Sequence, residues 1–227
     1  GSGVCEEIYI QGNRIGVLAT GAKNGALFLG NTLYGVYIED GCTGALVGGT
    51  EQGAGNIIAG NGAAGVGING EAAVQNTISR NSIHDNDGLG IELLNGANND
   101  VWPPVLGNLV LGEESYVSGS VPADGVYTIE LFADSGDEGL AYVTSADTSA
   151  GGSFLINYDF LPYDGLKLTA TATDADGNTS EFSSPVDIAY PVVELTMTRD
   201  HASTCMAGQM LDVTVTLHYA GSADVTS

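Results

Sequence analysis

Short apolar runs with alternating positions, bounded by glycine or asparagine, fill the first ninety residues of the chain. Residues 56–61 (NIIAGN) are echoed by residues 76–81 (NTISRN), and residues 35–38 (GVYI) by residues 65–68 (GVGI) and 88–91 (GLGI). The apolar period is two, not 3.6, and each glycine costs a helix interior about 1 kcal/mol relative to alanine. We therefore expect short strands joined by tight turns.

A repeat of about twenty residues predicts a coil whose circuits stack their strands in parallel, about 4.8 Å apart. Alternate Val, Ile and Leu side chains would fill the coil. Asparagines at equivalent corners would form hydrogen-bonded ladders, because Asn tolerates left-handed backbone angles. A set of unrelated glycine-rich loops is the alternative interpretation.

Four successive motifs resemble the right-handed parallel β-helix repeats of large bacterial surface proteins. These motifs lie at residues 55–61, 65–68, 76–78 and 81–93. Residues 40–50 (DGCTGALVGGT) are similar to a turn of the same repeats, although Ala45 stands where Asn is usual. The resemblance covers roughly residues 6–95 and implies a fold and a secreted setting. It implies no reaction, since this fold hosts lyases, hydrolases and plain spacers alike.

The pattern changes after residue 98. Residues 99–104 contain Trp102 and two prolines, which cannot donate ladder hydrogen bonds, so they are predicted to be a linker after a coil domain at residues 1–98. We expect Trp102 to cover the open end of the coil, with ligand stacking as the alternative. Longer alternating strands separated by Asp/Gly turns then predict a β-sandwich at residues 105–190. This segment resembles the immunoglobulin-like module that often follows such β-helices.

Residues 191–227 begin a third β module, which resembles the opening strands of a further immunoglobulin-like domain. Leu211 to Tyr219 form its strongest predicted strand, apolar on one face only. A sandwich needs about 100 residues, so this module is predicted to be incomplete. Either the chain stops early, or these strands complete a neighbouring subunit by β-augmentation and produce a head-to-tail homopolymer, a filament.

Charge and hydropathy limit the classes of partner that the chain can bind. The 227 residues carry 28 Asp and Glu against 5 Lys and Arg, a net charge of −23. This acidity excludes nucleic-acid binding and docking on anionic lipid. No stretch approaches the ~20 apolar residues of a membrane span, so no membrane insertion is expected. The predicted location is extracellular or at the cell surface. Of the three cysteines, Cys5 and Cys42 are candidates for a bridge; the alternative is three free thiols including Cys205.

One loop has the alternating oxygen ligands of a calcium site. Its candidate metal ligands are Asp174, Asp176, Asn178 and Glu181, and the candidate cofactor is Ca²⁺. The favoured alternative is a tight turn closed by Asx hydrogen bonds. A second acidic loop holds Asp134, Asp137 and Glu138 and is predicted to be simply solvated.

The only candidate catalytic cluster is residues 84–87 (HDND), with Arg80 and Glu92 as neighbours. Carboxylate pairs, or calcium with a base, cleave sugars on this fold. Because the same residues form a good turn and the domain has few basic residues, no catalytic residue is assigned and no enzyme is expected.

The predicted function is a structural or adhesive segment of an extracellular surface protein, with a carbohydrate or another cell-surface ligand if it is adhesive. A polysaccharide lyase or hydrolase is the first alternative. A non-catalytic carbohydrate-binding module is the second, for which Tyr9, Tyr34 and Tyr37 form a candidate sugar-stacking strip.

Overall fold

The computed structural model describes residues 5–6, 8–17 and 30–190, and the strands at residues 192–199 and 213–220. The predicted all-β class is confirmed: the described residues form strands and two short 3₁₀ turns, Ala97–Asp100 and Leu161–Tyr163. Within these residues, no helix has the length and apolarity needed to cross a membrane. The chain divides into two compact units, residues 1–188 and 189–227. Cys205 and the start of the predicted strand at residues 211–212 lie outside the described residues.

The described residues of the first part of unit 1, which we call the coil, form eleven short strands. They are β1 Cys5–Glu6, β2 Tyr9–Ile10, β3 Arg14–Ile15, β4 Val36–Ile38, β5 Cys42–Thr43, β6 Leu46–Gly48, β7 Ile57–Ala59, β8 Val66–Asn69, β9 Thr77–Ser79, β10 Ser82–His84 and β11 Ile91–Leu94. All their pairings are parallel. Three sheets have the orders β2-β6-β9, β3-β7-β10 and β4-β8-β11, and β1 pairs with β5. Successive strands therefore belong to successive sheets, and the chain returns to each sheet once per circuit.

The length of a circuit corrects the predicted period of about twenty residues. Ile57 pairs with Ser82, 25 residues later, and Val36 pairs with Val66, 30 residues later. The two matching motifs at residues 56–61 and 76–81 lie on neighbouring sheets, β7 and β9, rather than one above the other. Each motif consists of an asparagine, a three-residue strand and a corner. The same short sequence pattern therefore recurs on different sides of the coil.

Aliphatic side chains from all three sheets fill the coil. Its buried core consists of Val36, Ile38, Ala45, Val47, Ile58, Val66, Ile68, Ala73, Ile78, Ile83, Ile91 and Ala97. The alternation that predicted strands also determines which residues are buried: in β4, Val36 and Ile38 point inward and Tyr37 points outward. The interior of the coil is a packed core.

Three ladders of asparagine run along the corners of the described coil, as the recurrence of asparagine at its corners predicted. Their members are Asn13, Asn56 and Asn81; Asn31, Asn61 and Asn86; and Asn76 with Asn98. In each step the backbone amide of one residue donates to the side-chain Oδ1 of the residue one circuit later, as Asn56 does to Asn81 at 3.0 Å. Ala45, where the resemblance led us to expect Asn, donates its backbone amide to Asn76 (3.0 Å) and contributes no side chain to the ladder.

Seven antiparallel strands form the rest of unit 1, which we call the antiparallel lobe. They are β12 Val105–Val110, β13 Tyr116–Ser120, β14 Thr128–Asp134, β15 Ala141–Asp147, β16 Ser153–Asn157, β17 Lys167–Thr173 and β18 Val186–Asp187. One sheet has the order β12-β13-β16 and the other β15-β14-β17-β18. Strand β14 is central and almost wholly buried, including Glu130 and Asp134. Buried carboxylates in a central strand require partners, and those of Glu130 come from the coil.

Unit 2 contains two described strands, β19 Val192–Arg199 and β20 Val213–Ala220, paired antiparallel along their whole length. Their register places Leu195 opposite Leu217 and Met197 opposite Val215. The intervening pairs are polar, as with Thr196 opposite Thr216. The alternation between apolar and polar positions thus matches across the two strands from Val193–Tyr219 to Thr198–Thr214, whereas Arg199 lies opposite Val213.

Candidate functional site

The coil ends against the antiparallel lobe, and polar side chains of the lobe continue the asparagine ladders. We call this contact the joint. Asn86, the last asparagine of its ladder, donates its backbone amide to Glu138 Oε2 at 3.1 Å and its side-chain Nδ2 to Oε1 at 2.9 Å. Glu138 lies in the loop between β14 and β15 and is only 5% exposed. Its carboxylate occupies the position that a further asparagine would take in the next circuit.

A second buried carboxylate of the joint belongs to Glu130 in β14. Its Oε1 accepts the hydroxyl of Ser79 at 2.7 Å, and its Oε2 accepts the backbone amide of Arg80 at 3.0 Å. The Arg80 Nε lies 3.7 Å from Oε1, an ion-pair distance that is too long for a hydrogen bond. The guanidinium also lies 4.8 Å from the ring centre of Tyr142. Arg80, a candidate neighbour of the catalytic cluster, is therefore occupied within the joint.

The predicted calcium loop forms the third part of the joint. Asp174 accepts the backbone amides of Asp176 and Asn178 on Oδ1, both at 2.9 Å, and Asn178 Nδ2 on Oδ2 at 2.8 Å. Asn178 is fully buried, and its Oδ1 accepts the backbone amide of Gln75 from the coil. Glu181 Oε1 accepts the backbone amide of Leu93, at the end of β11, at 2.9 Å. The side chains of Asp174, Asn178 and Glu181 thus satisfy amides of the turn and of the coil.

The hydrogen bonds of this loop favour the turn over the calcium site. Within the part of the chain that the structure describes, no group of three or more His, Cys, Asp or Glu side chains could hold a metal ion. Asp174 uses both carboxylate oxygens inside its own turn, which is the Asx arrangement favoured as the alternative from the sequence.

Phe182 closes the apolar core of the coil, a role we expected for Trp102. The Phe182 ring packs against the core cluster and meets Phe132 edge-on, with ring centres 5.4 Å apart. A side chain at Gly90 would come within 2.6 Å of this ring, so only glycine leaves room for it. Trp102 is instead 62% exposed. The expectation for Trp102 was therefore wrong: Phe182 packs in the space left by Gly90 and Gly139, and Trp102 lies at the surface.

Burial raises the pKa of the Glu130 and Glu138 carboxyls above the usual range for glutamate. Hydrogen bonds from Arg80 and Ser79 to Glu130, and from Asn86 to Glu138, oppose the shift without cancelling it. A raised pKa means that the folded chain binds more protons than the unfolded chain, between the ordinary glutamate pKa of ~4.3 and the raised values. The free energy of unfolding should therefore decrease as the pH rises through that window.

We expect this pH dependence to have a slope of at most about 1.4 kcal/mol per pH unit for each carboxyl. Urea titrations between acidic and neutral pH measure it. Glu138→Gln should flatten the slope, whereas Glu113→Gln, the same change at an exposed position, should preserve it. Parallel curves for the parent chain and Glu138→Gln would contradict the assignment of the slope to the joint.

The candidate catalytic cluster is dispersed by the fold. His84 Nδ1 lies 3.1 Å from Asp85 Oδ2 on the outside of the coil, while Asn86 belongs to a ladder. Asp87 donates its backbone amide to the Asn61 carbonyl at 2.9 Å. Glu92 is on β11, in a different sheet from His84 on β10. The structure thus brings His84 and Asp85 together but separates them from Glu92.

Glu92 instead lies beside two tyrosines on the outer face of the sheet β4-β8-β11, which we call the tyrosine face. Strand register aligns Tyr37, Gly67 and Glu92 in one row across the sheet. The Tyr34 ring stacks on Tyr37 with centres 4.7 Å apart and covers the bare backbone of Gly67. Burial and a hydrogen bond with Glu92 raise the pKa of the Tyr34 hydroxyl. The face therefore presents a partly exposed aromatic pair next to a carboxylate.

Tyr9, the third tyrosine of the predicted strip, is not part of this face. It lies on β2, in another sheet, and is 66% exposed. A polar pair continues the tyrosine face instead: Asn95 Nδ2 donates to Asn69 Oδ1 at 2.7 Å. Asn69 is the last residue of β8, one outward position beyond Gly67. The groups that a ligand would meet are thus two rings, a carboxylate and side-chain amides.

No family model matches the chain, and no curated protein matches it either.

Proposed function

We propose that this chain is a structural and adhesive segment of an extracellular surface protein. In this proposal a short right-handed parallel β-helix, the coil, is closed at one end by an immunoglobulin-like sandwich, the antiparallel lobe. The coil would hold its own surface and that of the antiparallel lobe in a fixed arrangement and away from the cell.

The observation that carries the proposal is the use of three carboxylates of the antiparallel lobe, two of which, Glu130 and Glu138, are buried. Glu130, Glu138 and Glu181 all belong to the lobe, and each accepts a backbone amide of the coil. A buried charge is costly unless it is paired, so these groups contribute to joining the lobes in a single arrangement. Because these carboxylates already accept hydrogen bonds within the protein, they support a mechanical role more than a catalytic one.

The competing enzymatic function has a direct test. The chain is incubated with a panel of neutral and acidic polysaccharides, and the release of reducing ends is measured over time. We expect no release from any polymer. Release that disappears in Asp85→Asn, while the variant keeps the unfolding midpoint of the parent chain, would overturn the structural proposal in favour of a hydrolase or lyase.

A second candidate function, carbohydrate binding without cleavage, is favoured by the tyrosine face. Tyrosine rings combine an apolar surface with a polar edge, and Glu92 and Asn69 offer groups that bond to hydroxyls. Because the chain carries a net charge of −23, the ligand class that fits is a neutral sugar rather than a polyanion.

We expect Tyr37→Ala to weaken the binding of a neutral oligosaccharide by about tenfold, which corresponds to ~1.4 kcal/mol. Tyr37 is 43% exposed, so its loss should leave the fold intact. Isothermal titration calorimetry with neutral oligosaccharides measures the change in affinity. Tyr9→Ala is the matched control, because Tyr9 is exposed on a different sheet. Equal affinities for the two variants, or no binding by the parent chain, would contradict the candidate site.

Self-assembly is the part of the proposal that concerns unit 2. A two-stranded ribbon is marginal in water, and β19 and β20 place apolar residues opposite each other at alternate pairs. We propose that this ribbon adds to the sheet of a second copy of the chain, which would give head-to-tail filaments.

We expect Leu217→Asp to abolish assembly, because it places a charge at an apolar position of the ribbon. Thr216→Asp, one residue earlier at a polar position, should leave assembly unchanged. Light scattering and electron microscopy of the full chain distinguish the two. Filaments that persist in Leu217→Asp would refute strand exchange through this ribbon, and a parent chain that stays monomeric would refute self-assembly.

A further inference from the structure

Two cysteine thiols face each other across the first pair of strands in the coil. Strands β1 and β5 pair in parallel with Cys5 directly in register with Cys42. Neighbouring strands lie about 4.7–4.9 Å apart, which falls within the 4.4–6.8 Å Cα separation that disulfides span. Both residues are half-buried free thiols in the structure. The backbone therefore already holds the two cysteines at a bridging distance.

The side chains also meet. The Cys42 thiol is hydrogen-bonded to Cys5, and burial together with this contact raises the pKa of Cys42 to about 11. The pair is one of two register pairs between the described residues of β1 and β5. Among these residues the non-covalent contact between the strands is small, and a covalent link would change it substantially.

We propose that Cys5 and Cys42 form a disulfide that fastens β1 to β5, and that a low-molecular-weight disulfide such as oxidised glutathione is the oxidant. The Cys5 thiolate attacks one sulfur of the oxidant, forms a mixed disulfide and releases one thiolate. Cys42 then loses its proton, its sulfur attacks the Cys5 sulfur, and the second thiolate leaves. Two protein thiols are oxidised, and one small disulfide is reduced to two thiols.

The bridge would close a loop that includes residues 6–41 and would restrain the unfolded chain. In the loop-entropy description a closure of this size raises the unfolding midpoint of a domain of 150–250 residues by about 5–15 °C. Neither cysteine side chain belongs to the joint or to the tyrosine face, so the bridge does not depend on the proposed function.

The test uses the full chain in buffers of oxidised or reduced glutathione, followed by alkylation and peptide mass mapping. We expect a Cys5–Cys42 peptide in the oxidised sample, with Cys205 outside the bridge, and a midpoint that decreases on reduction. Cys42→Ser should lose both the bridged peptide and the effect of reduction, whereas Cys205→Ser should keep both. Alkylation of Cys5 and Cys42 after oxidation, or a bridge from either to Cys205, would overturn the proposal.

Discussion

Replacing Asn81 with alanine should lower the free energy of unfolding of unit 1 by about 2–5 kcal/mol. Asn81 is 2% exposed, and its Oδ1 accepts both the backbone amide and the side-chain amide of Asn56. Its Nδ2 donates to the Val47 carbonyl at 2.9 Å. Alanine would remove the acceptor of the buried Asn56 backbone amide and the donor to the Val47 carbonyl, at about 1–3 kcal/mol for each lost bond. The Asn56 side-chain amide would keep its bond to the Ile10 carbonyl. Urea titration monitored by circular dichroism measures the change.

Asn13→Ala is the matched control for this ladder. Asn13 is the exposed first member, and its side chain gives a single bond to Asn56, at 3.1 Å. Its backbone amide, which also donates to Asn56, survives the substitution. This substitution should lower the free energy of unfolding by less than about 1 kcal/mol. Similar losses for the two variants would show that burial within the ladder does not determine its strength.

Replacing Glu138 with alanine should lower the free energy of unfolding by about 2–4 kcal/mol, which is the second large effect that we expect. The carboxylate accepts two bonds from Asn86, and its removal leaves the Asn86 backbone amide without this acceptor at the joint. The Asn86 side-chain amide loses one bond and keeps those to the Ile58 and His84 carbonyls. Glu138→Gln keeps one acceptor oxygen, so we expect an intermediate loss. Chemical denaturation at neutral pH gives the order of the three proteins.

Asp137→Ala tests the specificity of the Glu138 effect. Asp137 is the adjacent acidic residue in the same loop and is exposed, so its removal should change stability by less than about 0.5 kcal/mol. If Asp137→Ala destabilised the chain as much as Glu138→Ala, the effect would belong to the loop and not to the end of the ladder.

The coil was largely predictable because its signals are local. Alternation of period two indicates strands, and corner asparagines such as Asn56 and Asn61 indicate ladders, since both features are repeated within a few residues. The circuit length was misjudged for the same reason. The motifs at residues 56–61 and 76–81 have the same local chemistry on neighbouring sheets, and only the pairing of Ile57 with Ser82 reveals the true repeat.

The joint was not predictable, because its partners are distant in sequence. Glu130 meets Ser79 across 51 positions, and Glu138 meets Asn86 across 52. A single glutamate in a strand or loop carries no local sign of such a partner. Glu138 was expected to be solvated in an acidic loop, but it is 5% exposed. A buried position for Glu130 within the apolar strand β14 was the one available hint, since a charge there requires a partner.

The central claim is that the coil and the antiparallel lobe form one cooperative body held by the joint. Native-state hydrogen exchange of the full chain in increasing urea, resolved by mass spectrometry, tests it most directly. We predict that peptides covering β7–β10 and peptides covering β14–β17 open with the same free energy and the same urea dependence, and that Glu138→Ala separates them. Lobe peptides that exchange at low urea while the coil of the parent chain stays protected would contradict the claim.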